Sequence, residues 1–410
     1  IRLGAGAVGN QNLPGGAPHP PYTSNVNFWP GPVGFGQVGT ASTNFIAGIA
    51  NPDLGWESVI TYNGGIDFGF IRGRIDLTVD LYKKVTSNML LFSTGPALLG
   101  IGDAWNDLKA PIGNVGQMTN TGIDISLVTR NISKPDFSWT TSFIFSHYKN
   151  VLDKLINESS SIDGKLYYDN YLITHTVPGY SVGTFWGLVT DGLFRTEADL
   201  ASSYPQFGLA VSQNETWLGD VRFKDINKDQ VIDSKDLTFI GSPIPDFTFG
   251  LTNSFRYRNI DLSIFLQGSY GAEIFNFMKW QLERMNNVYY NQSTAVMDRY
   301  TATNKDGALP RFTNTNTNNT AMSDRYVEDG SYMRVQNITL GYRLPKHVIN
   351  RVNMNNLRLF VTVQNLHTFT KYTGYDPEVG SYNNSIRLMN VDAGHYPNPR
   401  TYMGGVSVEF

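Results

Sequence analysis

The feature that most constrains this chain is a two-residue hydrophobic period that recurs in segments of about ten residues. Ile60, Tyr62, Ile66, Phe68 and Phe70 alternate with Thr61, Asn63, Gly65, Asp67 and Gly69. Ile75, Leu77, Val79 and Leu81 alternate with Asp76, Thr78 and Asp80, and Phe247, Phe249, Leu251, Phe255 and Tyr257 with Thr248, Gly250, Thr252, Ser254 and Arg256. Leu357, Leu359, Val361 and Val363 oppose Arg358, Thr362 and Gln364. Successive side chains of a strand point to opposite faces, so each segment makes a ribbon with one apolar and one polar face. A soluble sandwich and a transmembrane barrel both satisfy this pattern.

Composition narrows the choice. The chain of 410 residues is 41% hydrophobic but only 16% charged, against about 25% charged in an ordinary soluble domain. Uncharged Ser, Thr, Asn and Gly therefore supply most of the polar faces. No stretch reaches the ~18 consecutive apolar residues of a spanning helix, so any membrane crossing uses strands. A net charge of −3 without a basic surplus argues against nucleic acid as partner. The absence of Cys removes disulfide scaffolds, thiolate zinc sites and cysteine nucleophiles.

The connections favour the barrel. The alternation predicts strands at 1–8, 57–70, 74–87, 118–130, 137–150, 246–257, 260–272, 331–343, 355–367 and 401–410. The turns at 71–73, 131–136 and 258–259 are short and that at 344–354 is moderate, whereas 9–56, 88–117, 151–245, 273–330 and 368–400 are long. Loops beyond about 12–15 residues are uncommon in compact soluble domains. Long connections at every second position match the short-periplasmic, long-extracellular asymmetry of outer-membrane barrels. Ten strands return residue 410 to the short-turn side, so the C-terminus is expected in the periplasm. Ile1 to Gly6 reads as a strand already under way, so the chain is expected to be a fragment. At the other end Tyr402, Gly404, Val406, Val408 and Phe410 share a face, and the aromatic terminus resembles the assembly signal of such barrels, with Tyr402, Val406, Val408 and Phe410 as its residues. Trp56, Trp139, Tyr257, Tyr342 and Tyr372 sit near strand ends, as an aromatic girdle would; aromatics packed under loops would look the same.

Within the long connections, Thr184 to Phe194 and Asp220 to Lys224 look extended and are candidates for a further hairpin. Phe275 to Met285 has helical spacing, and Asn314 to Thr320, nearly all Asn and Thr, reads as a solvated loop tip.

Several segments resemble the SusC/RagA-like TonB-dependent outer-membrane transporters of Bacteroidota. They are Gly9-Asn10-Gln11, Asn51-Pro52-Asp53-Leu54-Gly55-Trp56-Glu57, Asn114-Val115-Gly116 with Asn120-Thr121-Gly122-Ile123, Gly241-Ser242-Pro243-Ile244-Pro245-Asp246-Phe247, Tyr326 to Arg334, and Phe410. They occur in order along nearly the whole chain. The resemblance implies an all-β fold: residues 1–410 would be the C-terminal part, about ten strands, of a 22-stranded antiparallel barrel whose plug, TonB-contacting segment and first strands lie outside this chain. It also implies a SusD-like surface lipoprotein as partner, the TonB complex acting through the plug, outer-membrane lipid around the wall, and oligosaccharide cargo. Peptide is the competing cargo.

One motif suggests a metal. Asp225, Asn227, Asp229, Asp233 and Asp236 stand at positions 1, 3, 5, 9 and 12 of a calcium loop, with the carbonyl of Val231 at position 7. A structural Ca²⁺ within the 151–245 connection is therefore expected. Gln230 stands where Gly usually makes the turn, and Asp236 is shorter than the usual Glu. A hydrated Asp/Asn turn is the alternative.

No catalytic constellation is expected. Gly179-Tyr180-Ser181-Val182-Gly183 fits a nucleophile elbow, but that chemistry needs a strand before the Ser and a helix after it; Pro178 precedes it and an extended stretch follows. The His residues at 19, 147, 175, 347, 367 and 395 lack paired ligand spacing. The expectation is a transporter in the outer membrane of a Gram-negative bacterium, long loops outside, with a passive porin or a soluble β-rich binding protein as alternatives. Trp29, Trp105, Trp186, Trp217 and Trp280 in the loops are assigned to no ligand.

Overall fold

A computed structural model describes residues 1–10, 30–32, 40–42, 51, 53–92, 112–157, 160–166, 171–208, 217–286, 289, 291–313, 318–349 and 354–409. Its centre is one sheet of ten strands hydrogen-bonded in chain order. The strands are β1 (Arg2–Asn10), β2 (Glu57–Phe70), β3 (Ile75–Phe92), β4 (Ile112–Ser133), β5 (Phe137–Lys154), β6 (Phe247–Tyr257), β7 (Ile260–Tyr270), β8 (Tyr332–Arg343), β9 (Asn356–Thr370) and β10 (Thr401–Glu409). Every neighbouring pair is antiparallel. No helix among the described residues is long and apolar enough to cross a membrane.

All ten strands lie where the alternation places them, but β3, β4 and β5 run further at their loop ends. Backbone pairing does not require alternation, so the ladder of Ser87–Phe92 against Ile112–Gln117 continues past the amphipathic stretch. Asn114 helps hold this end: its Nδ2 donates to Gly55 O at 2.9 Å and Asn88 O at 3.0 Å, and its Oδ1 accepts from Gly55 N at 2.7 Å. At the opposite end the turn after β2 is so short that Ile71, Arg72 and Gly73 all take φ between 53° and 77°. A β-branched residue in that region is a strained position that only tight closure enforces.

The register assigns the faces. Directly opposed residues share a face, and one row across the sheet reads Ile66, Val79, Ile125, Phe145, Phe249, Gly268, Met333 and Phe369. The neighbouring row, on the other face, reads Arg2, Gly65, Asp80, Asp124, Ser146, Thr248, Ser269, Tyr332 and Thr370. Apolar side chains of the first face stay open: Phe68, Phe70, Leu81, Leu340, Leu359, Val361, Tyr402 and Val406 are exposed. A soluble sandwich would bury these rows between two sheets. Here the buried hydrophobic residues lie almost entirely in the long connections instead.

Those connections fold together. The main cluster joins Leu166, Ile173 and Phe185 to Phe275, Phe277, Trp280 and Tyr326, and both groups to Leu388 and Val391. Three separate connections thus share one core. The stretches expected to add a hairpin to the wall do not reach it: Thr190–Leu193 pairs with Val221–Phe223, and Phe185–Gly187 joins a four-stranded sheet with Thr238–Gly241, Tyr171–Thr176 and Ile162–Leu166. They are three to six residues long and satisfy their backbone groups among themselves and with loop side chains, as where Asn319, Gln206 and Asp324 accept from Val221 N, Phe223 N and Thr190 N. The helix Phe277–Glu283 forms inside the expected span.

Two expectations need correction. Asn319 belongs to no solvated tip: it is 4% exposed, its Nδ2 donates to Asp220 Oδ1 at 2.9 Å and its Oδ1 accepts from Val221 N at 2.8 Å. Residues 314–317 lie outside the described residues. Tyr372 is no girdle residue, being 6% exposed among Ile274 and Val379 with its hydroxyl donating to Asp392 at 2.5 Å. Trp56, Tyr257 and Tyr342 are exposed at strand ends, as a girdle requires.

Candidate functional site

The polar row of the sheet carries a set of ion pairs. Arg2 reaches Asp67 at 2.9 Å and Asp80 at 3.0 Å, Arg130 meets Asp76 at 2.9 Å, and Arg358 meets Asp261 at 2.5 Å. Most are half-exposed and add little stability individually. Their value is in defining a hydrated face opposite an apolar one. Near its centre a cavity of about 360 Å³ is lined by Asp80, Asp124, Ser146, Thr248 and Gln267.

Toward the loop end this face becomes enclosed. Among the described residues Arg334 on β8 is the largest fully buried side chain, at 1% exposure. Its Nη2 donates to Asp376, its Nη1 to Glu378 Oε2 at 2.7 Å, and its Nε to Thr368 Oγ1 at 2.8 Å. Burial pushes the Asp376 carboxyl up, but the amides of Glu378 and Asn398 and the Arg334 guanidinium outweigh it and hold it below its ordinary value. The connection after β9 is thereby tied down over the polar face. Asn390 adds bonds from its Nδ2 to Pro243 O at 3.1 Å and Glu273 O at 3.3 Å. Between this connection and the wall lies a second cavity, about 410 Å³, whose lining includes Tyr148, Thr248, Ser269, Tyr332 and Glu378.

The Asp225–Asp236 loop is well ordered by its own backbone. Asp225 accepts from Lys228 N at 2.6 Å and Gln230 N at 2.9 Å, Asn227 from Asp229 N at 2.9 Å, Asp229 from Val231 N at 3.0 Å, and Asp233 from Lys235 N at 2.7 Å. Gln230 takes φ 68°, the turn conformation usually given to Gly. Asp236, fully buried, accepts from Ile226 N and Asp233 N at 2.8 Å each. Both of its oxygens thus face amides. No three His, Asp or Glu side chains converge as a metal-holding group among the described residues.

The Ser181 hydroxyl has Thr184 and Ser242 as partners, at 3.1 and 3.3 Å, and Phe185–Gly187 beyond it is a strand rather than a helix. The elbow geometry is not formed. Trp280 is 2% exposed in the main loop cluster, Trp217 packs on Phe194 at 5.9 Å and Trp186 on Phe239 at 4.9 Å. Trp29, Trp105, Gln11 and Phe410 lie outside the described residues. Tyr402, Val406 and Val408 share the apolar face, opposite Val363, Leu359 and Leu357. Sequence reasoning missed the Arg334 clamp, because Asp376 is 42 residues away and lies in a long connection without periodicity.

The profile of the family described as "TonB dependent receptor-like, beta-barrel" matches residues 16–366. TonB-dependent receptor P3 of Formosa agariphila is 31% identical over 420 aligned residues, spanning 100% of this chain and 39% of that protein. TonB-dependent receptor SusC of Bacteroides thetaiotaomicron is 27% identical, spanning 100% of this chain and 37% of its own length. The solved RagAB peptide transporter superposes with a TM-score of 0.76 at 21% identity, over 100% of this chain and 40% of that one, a likeness of fold. The chain spans about two fifths of the length of these relatives.

Proposed function

Because the chain belongs to the TonB dependent receptor-like β-barrel family, we propose that it supplies ten wall strands and the extracellular loops of a TonB-dependent importer in the outer membrane. In this reading the apolar face meets lipid and the polar face lines the lumen. The long loops lie outside the cell and the turns after β2, β4, β6 and β8 in the periplasm. The observation that carries it is the partition of one continuous sheet into an open apolar row and an ion-paired row. A sheet of this kind needs hydrocarbon on one side and water on the other.

The cargo we assign is oligosaccharide, received with a SusD-like surface lipoprotein as lid. Its support is the ordered set of SusC/RagA-like segments along nearly the whole chain, a family best known for glycans. A peptide cargo draws on the likeness to the RagAB peptide transporter, but at 21% identity that likeness speaks for fold alone. Strains lacking the gene should lose growth on the oligosaccharide while keeping growth on its monosaccharide. Loss of growth on peptides instead overturns the cargo, and uptake that survives loss of TonB makes the protein a passive porin.

Calcium is a second, smaller proposal. Ligand spacing and the Gln230 turn support a Ca²⁺ on Asp225, Asn227, Asp229, Val231 O and Asp233. Asp236 would join only by exchanging its amide bonds. Calorimetry of chelator-treated protein should show Ca²⁺ binding that Asp225→Ala abolishes; a flat titration sinks it.

A further inference from the structure

Gly122 lies on the polar face of β4, directly between Tyr82 on β3 and Tyr148 on β5. A Cβ at Gly122 would fall inside the Tyr82 phenol, so the missing side chain lets that ring lie flat across the strand. The two tyrosines start from strands about 10 Å apart. Tyr148 also lines the cavity of about 410 Å³ beneath the tied-down connection, together with Tyr332 and Glu378. Tyr82 and Tyr148 thus flank Gly122 in one row at the loop end of the polar wall, and Tyr332 stands on the same face one row nearer the centre, three strands along from Tyr148.

We propose that Tyr82, Tyr148 and Tyr332 form a saccharide-binding ledge on the lumen wall, with Glu378 and the Asn120–Asn150 amide pair beside it. This rests on the reading of the chain as an oligosaccharide importer, and it names residues that meet the cargo. Three features select a neutral, hydroxyl-rich chain. Aromatic faces present a partly negative π surface that suits the C–H side of a sugar ring. Planar amides and carboxylates give paired hydrogen-bonding atoms for vicinal hydroxyls; Asn150 Nδ2 already bridges to Asn120 Oδ1 at 2.7 Å, which fixes both side chains. Glu378 is charge-compensated by Arg334 at 2.7 Å, so it accepts hydrogen bonds without demanding a cation.

An extended peptide is the weaker fit. Peptides bind strongly by adding a strand to a free sheet edge. Here β3, β4, β5 and β8 are each paired on both sides, so their backbone groups are engaged. Side chains alone remain to hold a ligand on this wall.

The test uses full-length protein in detergent, with maltohexaose, cellohexaose, laminarihexaose and mannohexaose as probes and hexa-alanine as the peptide comparison. Wild-type protein should bind at least one saccharide by calorimetry. Tyr148→Ala should weaken it by roughly three- to tenfold, and Tyr148→Phe, which keeps the ring, by less than about twofold. Tyr332→Ala should behave like Tyr148→Ala. Barrel integrity is checked for each variant by heat-modifiable migration in gels. Saccharide binding unchanged by both alanine variants overturns the ledge and leaves the importer reading standing. Wild-type protein that binds no saccharide overturns both, and Tyr148→Ala that weakens hexa-alanine alone reassigns the ledge to peptide.

Discussion

Replacing Phe249 with arginine puts a charge on the apolar face at a depth that the register defines. Phe249 is opposite Phe145. Below that level the same face carries Thr141 opposite Asn253, where Trp139 Nε1 and Thr141 Oγ1 donate to Asn253 Oδ1 at 2.9 and 2.7 Å. Above it Lys149 appears, in line with Thr121 and Lys83. Phe145 stands midway between Thr141 and Lys149 on its strand. With a rise of about 3.4 Å per residue and a tilt near 40°, roughly 10 Å of apolar wall lies on either side. That is close to the bilayer midplane, where arginine costs about 2–4 kcal/mol. Thr248, one residue away, faces Ser146 and Ser269 on the polar side and borders both cavities. Thr248→Arg therefore has water and space for its guanidinium and should cost no more than about 0.5 kcal/mol. Full-length protein refolded into vesicles and titrated with guanidinium, with tryptophan fluorescence as the readout, gives both values. Equal costs, or a larger cost for Thr248→Arg, would refute the assignment of the faces.

Other outcomes follow from the same geometry. Arg334→Met leaves Asp376 buried without its cation and should weaken the docking of residues 371–400 by about 3–5 kcal/mol, read as faster proteolysis in that connection with the wall intact. Arg334→Met combined with Asp376→Asn should recover most of the loss, since the one carboxylate then left without its cation, Glu378, is 44% exposed to solvent; no recovery would show that packing rather than charge holds the connection. The lowered Asp376 pKa stabilises the docked state fully above the unfolded value of about 3.9, and this is lost as pH falls through the lower folded value. Protection of the Glu378 and Asn398 amides, taken relative to the intrinsic exchange rate at each pH, should accordingly hold near about pH 5 and fall only in stronger acid; protection already lost near neutrality would contradict it. Gly268→Val should destabilise the wall, because a Cβ there meets both the Phe249 ring and Tyr332 O; wild-type stability would contradict the stacking of Phe249 over that strand.

How far the sequence was legible depends on the range of the physics involved. A strand's face is set residue by residue, so Phe247 to Tyr257 declares its two sides without any partner, and the short turns at 71–73 and 258–259 fix which strands are neighbours. The Asx turns of Asp225, Asn227 and Asp229 are equally local and form as spaced. What the residues could not declare is burial in the connections. Tyr372 and Tyr342 look alike at a strand end, yet Tyr372 is drawn under a loop by Asp392 and Ile274 while Tyr342 stays exposed. Asn319 sits in a tract of Asn and Thr that reads as solvated, and only the distant Asp220 and Val221 explain its burial.

The loop core shows why that boundary falls where it does. Its members come from three connections separated by complete wall strands: Phe185 before β6, Phe275 and Trp280 after β7, Leu388 and Val391 after β9. None of these segments carries a full amphipathic repeat, because each contributes only a few apolar residues to a core shared by all. A pattern divided among three loops has no period to detect. The parallel pairing of Phe275 and Asn276 with Val391 and Asp392 joins two of them directly, and Thr174 Oγ1 donating to Arg387 O at 2.6 Å joins the first to the third. Loss of one element, as in Trp280→Ala, removes a side chain that fills the core and also donates to Thr320 O at 2.7 Å. The cost should be about 3–5 kcal/mol, the usual range for a buried aromatic truncated to alanine, and it should appear as protection lost from all three connections together in hydrogen exchange. Protection lost only around helix Phe277–Glu283 would mean that the loops are stabilised separately and that the shared core does not couple them.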